Sequence, residues 1–144
     1  MEGLVVFLMG RQAYALPTRS VLELARMVLL STSPDDTGGV LAGVVTYRGR
    51  VLPVIDLHGL VRQPQTADLL RQSIVFVRTD DQAEFGICVD DVVDVLPEQD
   101  DEAATAITPG KPPVQCSIAI GERLIQRLDL AWLGRLTRSY GGVS

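Results

Sequence analysis

The apolar residues of this chain fall into short, closely spaced runs, and this spacing constrains the fold more than any other feature. The runs are rich in Val, Ile and Leu, and Gly, Pro, Asp and Thr separate them. This pattern predicts many short strands rather than helices that alternate with strands. We therefore predict an all-β fold. The runs cover 4–9, 13–16, 40–47, 51–57, 74–78, 85–89, 92–96 and 118–130.

Helical segments are predicted to be few. Residues 18–30 fit either a helix or a turn followed by a strand, and 66–72 and 130–138 are further helix candidates. Residues 98–113 are rich in acids and prolines, which predicts a surface loop.

The sequence also repeats itself at long range. A shift of 71 residues places 14–16 on 85–87 and 21–24 on 92–95, and a shift of 73 places GRVLPVIDL on ERLIQRLDL. We interpret the chain as one domain, 1–144, with two intertwined β-units at roughly 13–57 and 85–130. Units this small rarely hold a sufficient core alone. We expect them to pack together or exchange strands, leaving a groove between them.

Composition narrows the class of partner. The net charge is −5, with a single lysine and scattered arginines, which disfavours nucleic acid and anionic membranes because both attract clustered basic residues. The first apolar run lacks a basic flank and is far shorter than the roughly 20 residues of a spanning helix. We expect a cytoplasmic protein without membrane insertion. Cys88 and Cys116 form no Cys-x-x-Cys motif and are predicted to be reduced.

One triplet raises the possibility of catalysis. Asp36-Thr37-Gly38 is the triplet of aspartic proteases, in which two chains of this length would pair their carboxylates. It follows a polar segment rather than an apolar strand, which favours a turn. An aspartic-protease-like homodimer and a small-ligand-binding β-barrel module stay open as alternatives.

The other polar residues indicate structural roles. Asp80-Asp81 is predicted to form a hairpin turn, Asp90-Asp91 to cap a short helical turn, and 100–102 to be solvated. His58, the sole histidine, is predicted to lie on the surface. No phosphate-binding or nucleophile motif occurs. We predict no enzyme activity, no metal site and no cofactor.

The segment VVTYRGRVLPVIDL, residues 44–57, combines strand and turn signals. Gly49 suits the positive φ of a hairpin turn, Pro53 marks an edge or a bulge, and Asp56 is expected to cap the next turn. Folding alone does not explain the arginines at the turn. They are suited to charge-assisted contacts with a partner.

Residues 43–57 strongly resemble the central signature of CheW-like domains, and the flanking segments follow the same order over roughly 4–136. The resemblance implies two five-stranded SH3-like β-barrels around a shared core, with short helices including a C-terminal one. It also implies a non-catalytic adaptor for chemotaxis or a related pathway such as pilus motility. Its partners would be the regulatory domain of a CheA-type histidine kinase and the cytoplasmic tip of a chemoreceptor.

The resemblance also implies which residues bind the partners. Arg48 matches the family's arginine implicated in receptor coupling, and Glu23 matches its acidic partner. Val21, Gly43 and Val44 would line the adjacent receptor-facing groove. The sequence departs from the family at Thr46, where Asn is usual, in a compact loop at 98–117, and at Gln126 and Arg127, where apolar residues are typical.

Overall fold

The computed structural model describes residues 3–26, 41–61, 73–96, 106–120 and 122–139. These ranges hold eleven strands, two helices and one 3₁₀ turn, so the predicted all-β class is confirmed. The elements are β1 Leu4–Met9, β2 Gln12–Pro17, the 3₁₀ turn Thr18–Ser20, β3 Val21–Arg26, β4 Leu41–Tyr47, β5 Arg50–Asp56, α1 Leu57–Val61, β6 Ser73–Arg78, β7 Glu84–Val89, β8 Asp91–Leu96, β9 Ala106–Pro109, β10 Val114–Ile120, β11 Arg123–Leu128 and α2 Leu130–Ser139.

The strands form two sheets that share one plan. The five-stranded sheet has the order β3-β6-β7-β5-β4, and the six-stranded sheet has the order β8-β1-β2-β11-β10-β9. Each sheet takes strands from both halves of the chain, and each is joined across the halves by one parallel pair, β5–β7 or β2–β11. At equivalent places in the two orders, β3, β7 and β5 correspond to β8, β2 and β11, the strands that the sequence repeat relates.

The extra strand of the six-stranded sheet is β9, which pairs antiparallel with β10. It lies within the segment predicted to be a loop, so that prediction is wrong for 106–109, while 98–105 lies outside the described residues. Pro109 ends this strand, and a proline disfavours the prediction of a strand from sequence. A sheet edge tolerates proline because one side of an edge strand makes no ladder bonds.

The apolar side chains divide into a core between the sheets and a smaller core within each sheet. The core of the five-stranded sheet is centred on Val54, Ile74 and Phe76. The core of the six-stranded sheet is centred on Val6 and Ile125. Both sheets contribute to the core between them, which comprises Phe7, Met9, Tyr14, Leu16, Ile55, Leu57, Val75, Val77, Phe85, Ile87, Val89, Leu128 and Leu133.

The helix predictions have mixed outcomes. Residues 18–26 form a 3₁₀ turn followed by β3, the second of the two expected forms. The C-terminal helix is confirmed as α2, and Asp129 caps it by accepting the Trp132 N–H at 3.0 Å. The candidate at 66–72 lies outside the described residues. Neither helix in the described ranges is long and apolar enough to cross a membrane.

Candidate partner-binding surface

The β4–β5 connection is a two-residue hairpin turn, as the sequence predicts. Arg48 has φ of 50° and Gly49 has φ of 80°, and positive φ at both central positions is the type I′ geometry that matches strand twist. Glycine adopts this conformation without steric cost, whereas arginine does so rarely. The turn therefore holds Arg48 in a backbone conformation that residues other than glycine rarely adopt.

An aromatic pair supports the Arg48 side chain. Its guanidinium carbon lies 5.2 Å from the centre of the Tyr47 ring, and that ring stacks on Phe76 with centroids 4.3 Å apart. Attraction between the cation and the ring face favours this arrangement. The Arg48 side chain is nevertheless 69% exposed. The Tyr47 ring therefore orients the guanidinium, while solvent still reaches it.

Glu23 lies beside Arg48, as expected from the family resemblance. The Arg48 Nη2 and Glu23 Oε1 atoms are 3.6 Å apart, and the Glu23 side chain is 47% exposed. Glu23 stands on β3, at one edge of the five-stranded sheet, while Arg48 follows β4 at the other edge. The pair therefore bridges the two edges. Exposed pairs of this kind contribute little stability.

The other three expected surface residues are on the same two edge strands. Val21 is half-buried on β3 and packs against the core between the sheets. On β4, Gly43 is buried next to a β-bulge and Val44 is half-buried opposite Pro53. The structure thus brings Glu23 and Arg48 together, with Val21 on one edge strand and Gly43 and Val44 on the other. Their role in binding stays a prediction.

Proline in the central strand β5 has a structural explanation. Pro53 pairs with Val44, one residue from the register shift between Leu41 and Gly43, and the parallel pairing of β5 with β7 begins only at Val54. The sequence predicted an edge or a bulge within the strand of Pro53, and that prediction is wrong, because β5 lies between β7 and β4 and the bulge is on β4. Pro53 precedes the first residue of the ladder with β7, so its missing N–H removes no bond from that ladder.

A buried acid near the hairpin was missed by the sequence analysis. The Glu84 side chain is 5% exposed and is contacted by the guanidinium groups of Arg50 and Arg78. The Arg78 Nε–H donates to Glu84 Oε2 at 2.7 Å. Arg78 and Glu84 are opposite residues of the β6–β7 hairpin, a cross-strand pairing that sequence spacing alone could have suggested. The guanidinium of Arg50 thus contacts a buried carboxylate, whereas that of Arg48 contacts the exposed Glu23.

The surface prediction for His58 is wrong. The His58 side chain is 10% exposed and lies between two carboxylates, with Nδ1 3.1 Å from Asp56 Oδ1 and Nε2 2.6 Å from Asp90 Oδ1. Asp56 also accepts the His58 backbone N–H at 3.1 Å, which confirms its predicted capping role. A lone histidine after a strand carries no local signal of burial, because Asp90, the less exposed of the two carboxylates, is 32 residues away and is placed by the fold.

The prediction for Asp90 is also wrong. Asp90 is buried and caps no helical turn; its Oδ2 accepts the Gly10 N–H at 2.7 Å, and Asp91 begins β8. Asp80 and Asp81 do form the β6–β7 turn. A hydrogen bond from Thr79 and the neighbouring Arg138 hold the pKa of Asp81 below its usual range. Asp36-Thr37-Gly38 and 100–102 lie outside the described residues.

A cavity of about 350 Å³ lies where the ends of both sheets meet α2. Ligand pockets of this size are usually lined by apolar side chains with a few polar groups. Here charged and polar side chains dominate, which disfavours this cavity as a small-ligand site. The lining comprises Pro17, Arg19, Ser20, Thr79, Asp80, Asp81, Gln115, Arg127, Leu128, Asp129, Leu130 and Ala131.

The cysteines are free thiols, as predicted. Burial, followed by the nearby Asp56 and Asp90, raises the pKa of Cys88 to about 12, and burial also raises the pKa of Cys116. Within the described part of the chain, no three His, Cys, Asp or Glu residues cluster as metal ligands.

Comparison with known proteins identifies the architecture. No curated protein matches the chain. A solved structure of the scaffolding protein TtCheW from Thermoanaerobacter tengcongensis matches with a TM-score of 0.73 and 24% identity, over 90% of this chain and 84% of that one. At this identity the match supports the fold alone.

The assignment of the chain to a family rests on a match in sequence. The model of the CheW-like domain matches residues 3–136, almost the whole chain. This span contains both sheets, the hairpin with Arg48 and most of α2. The chain therefore belongs to the CheW-like domain family.

Proposed function

We propose that the protein is a non-catalytic cytoplasmic adaptor that couples a CheA-type histidine kinase to the cytoplasmic tips of chemoreceptors. The pathway would be chemotaxis or a related chemosensory system such as pilus motility. We further propose that 1–144 act as one domain in which two similar units, roughly 13–57 and 85–130, are intertwined. The receptor would contact Arg48 and Glu23, with Val21, Gly43 and Val44 beside them.

The observation that carries the proposal is the exposed pair of Arg48 and Glu23 within a CheW-like domain. Arg48 is oriented by Tyr47 yet is 69% exposed, so it keeps hydrogen-bond donors for a partner. The guanidinium of the neighbouring Arg50, by contrast, contacts the buried side chain of Glu84. A guanidinium that is oriented by the fold loses less entropy on binding than a free side chain.

The test compares two charge reversals at ion pairs in the two sheets. Arg48→Glu is expected to weaken binding of a chemoreceptor cytoplasmic fragment about thirtyfold, since the loss of an arginine anchor costs about 2 kcal/mol. Arg123→Glu is the matched control, because Arg123 pairs with Asp94 at 3.3 Å in the six-stranded sheet and is also exposed. Affinities are measured by calorimetry, and circular dichroism confirms folding.

The kinase is tested separately by pull-down with its regulatory domain. Binding of that domain to the wild type is expected, and Arg48→Glu is expected to retain it. Failure of the wild type to bind either partner would contradict the adaptor function. Equal effects of Arg48→Glu and Arg123→Glu on the receptor fragment would contradict only the assigned surface.

A further inference from the structure

Arg50 and Arg78 lie at the same end of the five-stranded sheet as the hairpin turn. Arg50 begins β5 opposite Tyr47, and Arg78 ends β6 opposite Glu84 at the start of β7. Because β5 and β7 run parallel, both strands begin at this end. The turn keeps the Cα atoms of Tyr47 and Arg50 within about 7 Å, so Arg48 stays close to Arg50. Three arginines are therefore placed at one end of the sheet.

The strand register also places Arg50, Arg78 and Glu84 on the face that carries the core of this sheet. Tyr47 and Phe76 belong to that core. Residues opposite each other on antiparallel strands, and alternate residues along one strand, share a face. Arg50 is opposite Tyr47, and Arg78 is two residues beyond Phe76. Glu84 is opposite Arg78, so the three charged side chains cover one end of the core.

The buried Glu84 contacts two guanidinium groups at once. Its side chain is 5% exposed, whereas the side chains of Arg50 and Arg78 are 56% and 44% exposed. A carboxylate carries one negative charge, and each guanidinium carries one positive charge. Glu84 therefore neutralises one of the two positive charges, while both guanidinium groups stay partly exposed to solvent.

Arg48 adds a third positive charge. It lies 3.6 Å from Glu23, which is longer than a hydrogen bond, and both side chains are exposed. Three arginines and two glutamates carry a surplus of one positive charge, on a chain whose net charge is −5. In the six-stranded sheet, the pair of Arg123 and Asp94 carries no surplus.

We propose that Arg48, Arg50 and Arg78 form one binding site, the arginine site, for an acidic protein segment that docks through carboxylate side chains. Guanidinium groups match the two oxygens of a carboxylate. Contact with a buried carboxylate already orders Arg50 and Arg78, so they lose less entropy on binding. Within the adaptor function proposed above, on which this identity rests, the segment belongs to the chemoreceptor tip.

A carboxylate fits the arginine site better than a phosphate group does. Glu23 and Glu84 remain beside the three arginines. Their negative charges repel a phosphate, which carries nearly two charges at neutral pH, more strongly than they repel a carboxylate.

The first test adds a hexaglutamate peptide to the wild-type protein and follows the arginine Nε–H resonances by NMR. The resonances of Arg48, Arg50 and Arg78 are expected to shift at low salt and to return in about 0.5 M NaCl, because salt screens exposed charges. Arg123 is the matched control, since the repeat aligns it with Arg50 and it pairs with Asp94. Its resonance is expected to stay in place.

Three results of this titration would overturn the arginine site. They are equal shifts of Arg123, no shift of the three arginines, and tighter binding of a hexaphosphoserine peptide than of hexaglutamate.

The second test measures the association rate of a chemoreceptor cytoplasmic fragment with Arg50→Gln and Arg78→Gln. Charges at the rim of an interface act mainly on the association rate and on its salt dependence. Each variant is expected to associate about threefold more slowly than the wild type at low salt, and at nearly the same rate at high salt. Arg123→Gln is expected to keep the wild-type rate.

The two tests separate this site from the adaptor function. Unchanged association rates in Arg50→Gln and Arg78→Gln would overturn the arginine site even if the fragment binds. A fragment that does not bind the wild type would contradict the adaptor function, while the shifts caused by hexaglutamate still decide the chemistry of the site. If a variant does not fold, the wild-type spectra decide.

Discussion

The two sheets present similar exposed ion pairs, but the arginine of each pair comes from a different position of the repeat. In the five-stranded sheet, Arg48 pairs with Glu23; in the six-stranded sheet, Arg123 pairs with Asp94. The repeat aligns the two acids, but it aligns Arg123 with Arg50 rather than with Arg48. The five-stranded sheet therefore has an additional arginine at this surface.

The apolar neighbours of these pairs are also equivalent. The large exposed hydrophobic residues of the described chain are Leu24, Val51, Val95 and Leu124. The shift of 71 relates Leu24 to Val95, and the shift of 73 relates Val51 to Leu124. Both sheets thus present an acid–arginine pair together with two exposed aliphatic side chains, one on the strand of the acid and one on β5 or β11. The comparison shows that Arg48 is an addition to a shared surface rather than part of the common fold.

Cysteine reactivity gives the largest difference expected between the sheets. A pKa of about 12 for Cys88, in place of the ordinary 9.0, lowers its thiolate fraction at pH 8 about a thousandfold. Cys116 is only half-buried in the six-stranded sheet. Iodoacetamide is expected to modify Cys116 first, as followed by mass spectrometry. In guanidinium chloride both should react alike, and faster modification of Cys88 in the native protein would contradict its burial.

The equivalent positions Gly86 and Ala15 allow a sharper comparison of packing. A Cβ on Gly86 would lie 2.9 Å from Ile74 Cγ2 and 3.2 Å from Val54 Cγ2, both on fully buried side chains. Gly86→Ala is expected to lower the free energy of unfolding by about 1–3 kcal/mol through overpacking.

Ala15→Gly is the matched control for that substitution. Ala15 is fully buried in the six-stranded sheet, so its loss of a methyl group and gain in chain entropy should cost about 1 kcal/mol. Urea denaturation measures both variants. An unchanged or increased stability of Gly86→Ala would show that the two sheets accept the same residue at this position.

Neutralising the exposed acids gives the smallest expected effect. Glu23→Gln and Asp94→Asn should each change stability by less than about 0.5 kcal/mol, because both pairs are solvated. Glu84→Gln is the buried comparison and should cost about 1–3 kcal/mol, since two arginines lose a charged acceptor. Thermal melts of the three variants at low and high salt would measure these changes in stability. A large loss in Glu23→Gln would assign that pair a structural role.

Local patterns in the sequence determined much of this protein. Short β-branched runs predict the all-β class, and the Gly49 signal predicts the hairpin, because both depend on residues close in the chain. The repeat at 71–73 residues indicates two similar units. The resemblance of 43–57 to CheW-like domains led to the pairing of Arg48 with Glu23, which the structure brings to 3.6 Å.

Only the tertiary structure decided how the halves combine and which polar groups are buried. The parallel β5–β7 and β2–β11 pairs place strands of one half inside the sheet of the other. The same exchange brings Asp90 to His58, 32 residues away, and to Gly10, 80 residues away. Sequence periodicity records which side of a strand is apolar, but it does not record which distant strand lies beside it. For that reason the burial of His58 was unpredictable, whereas the exposure of Arg48 was not.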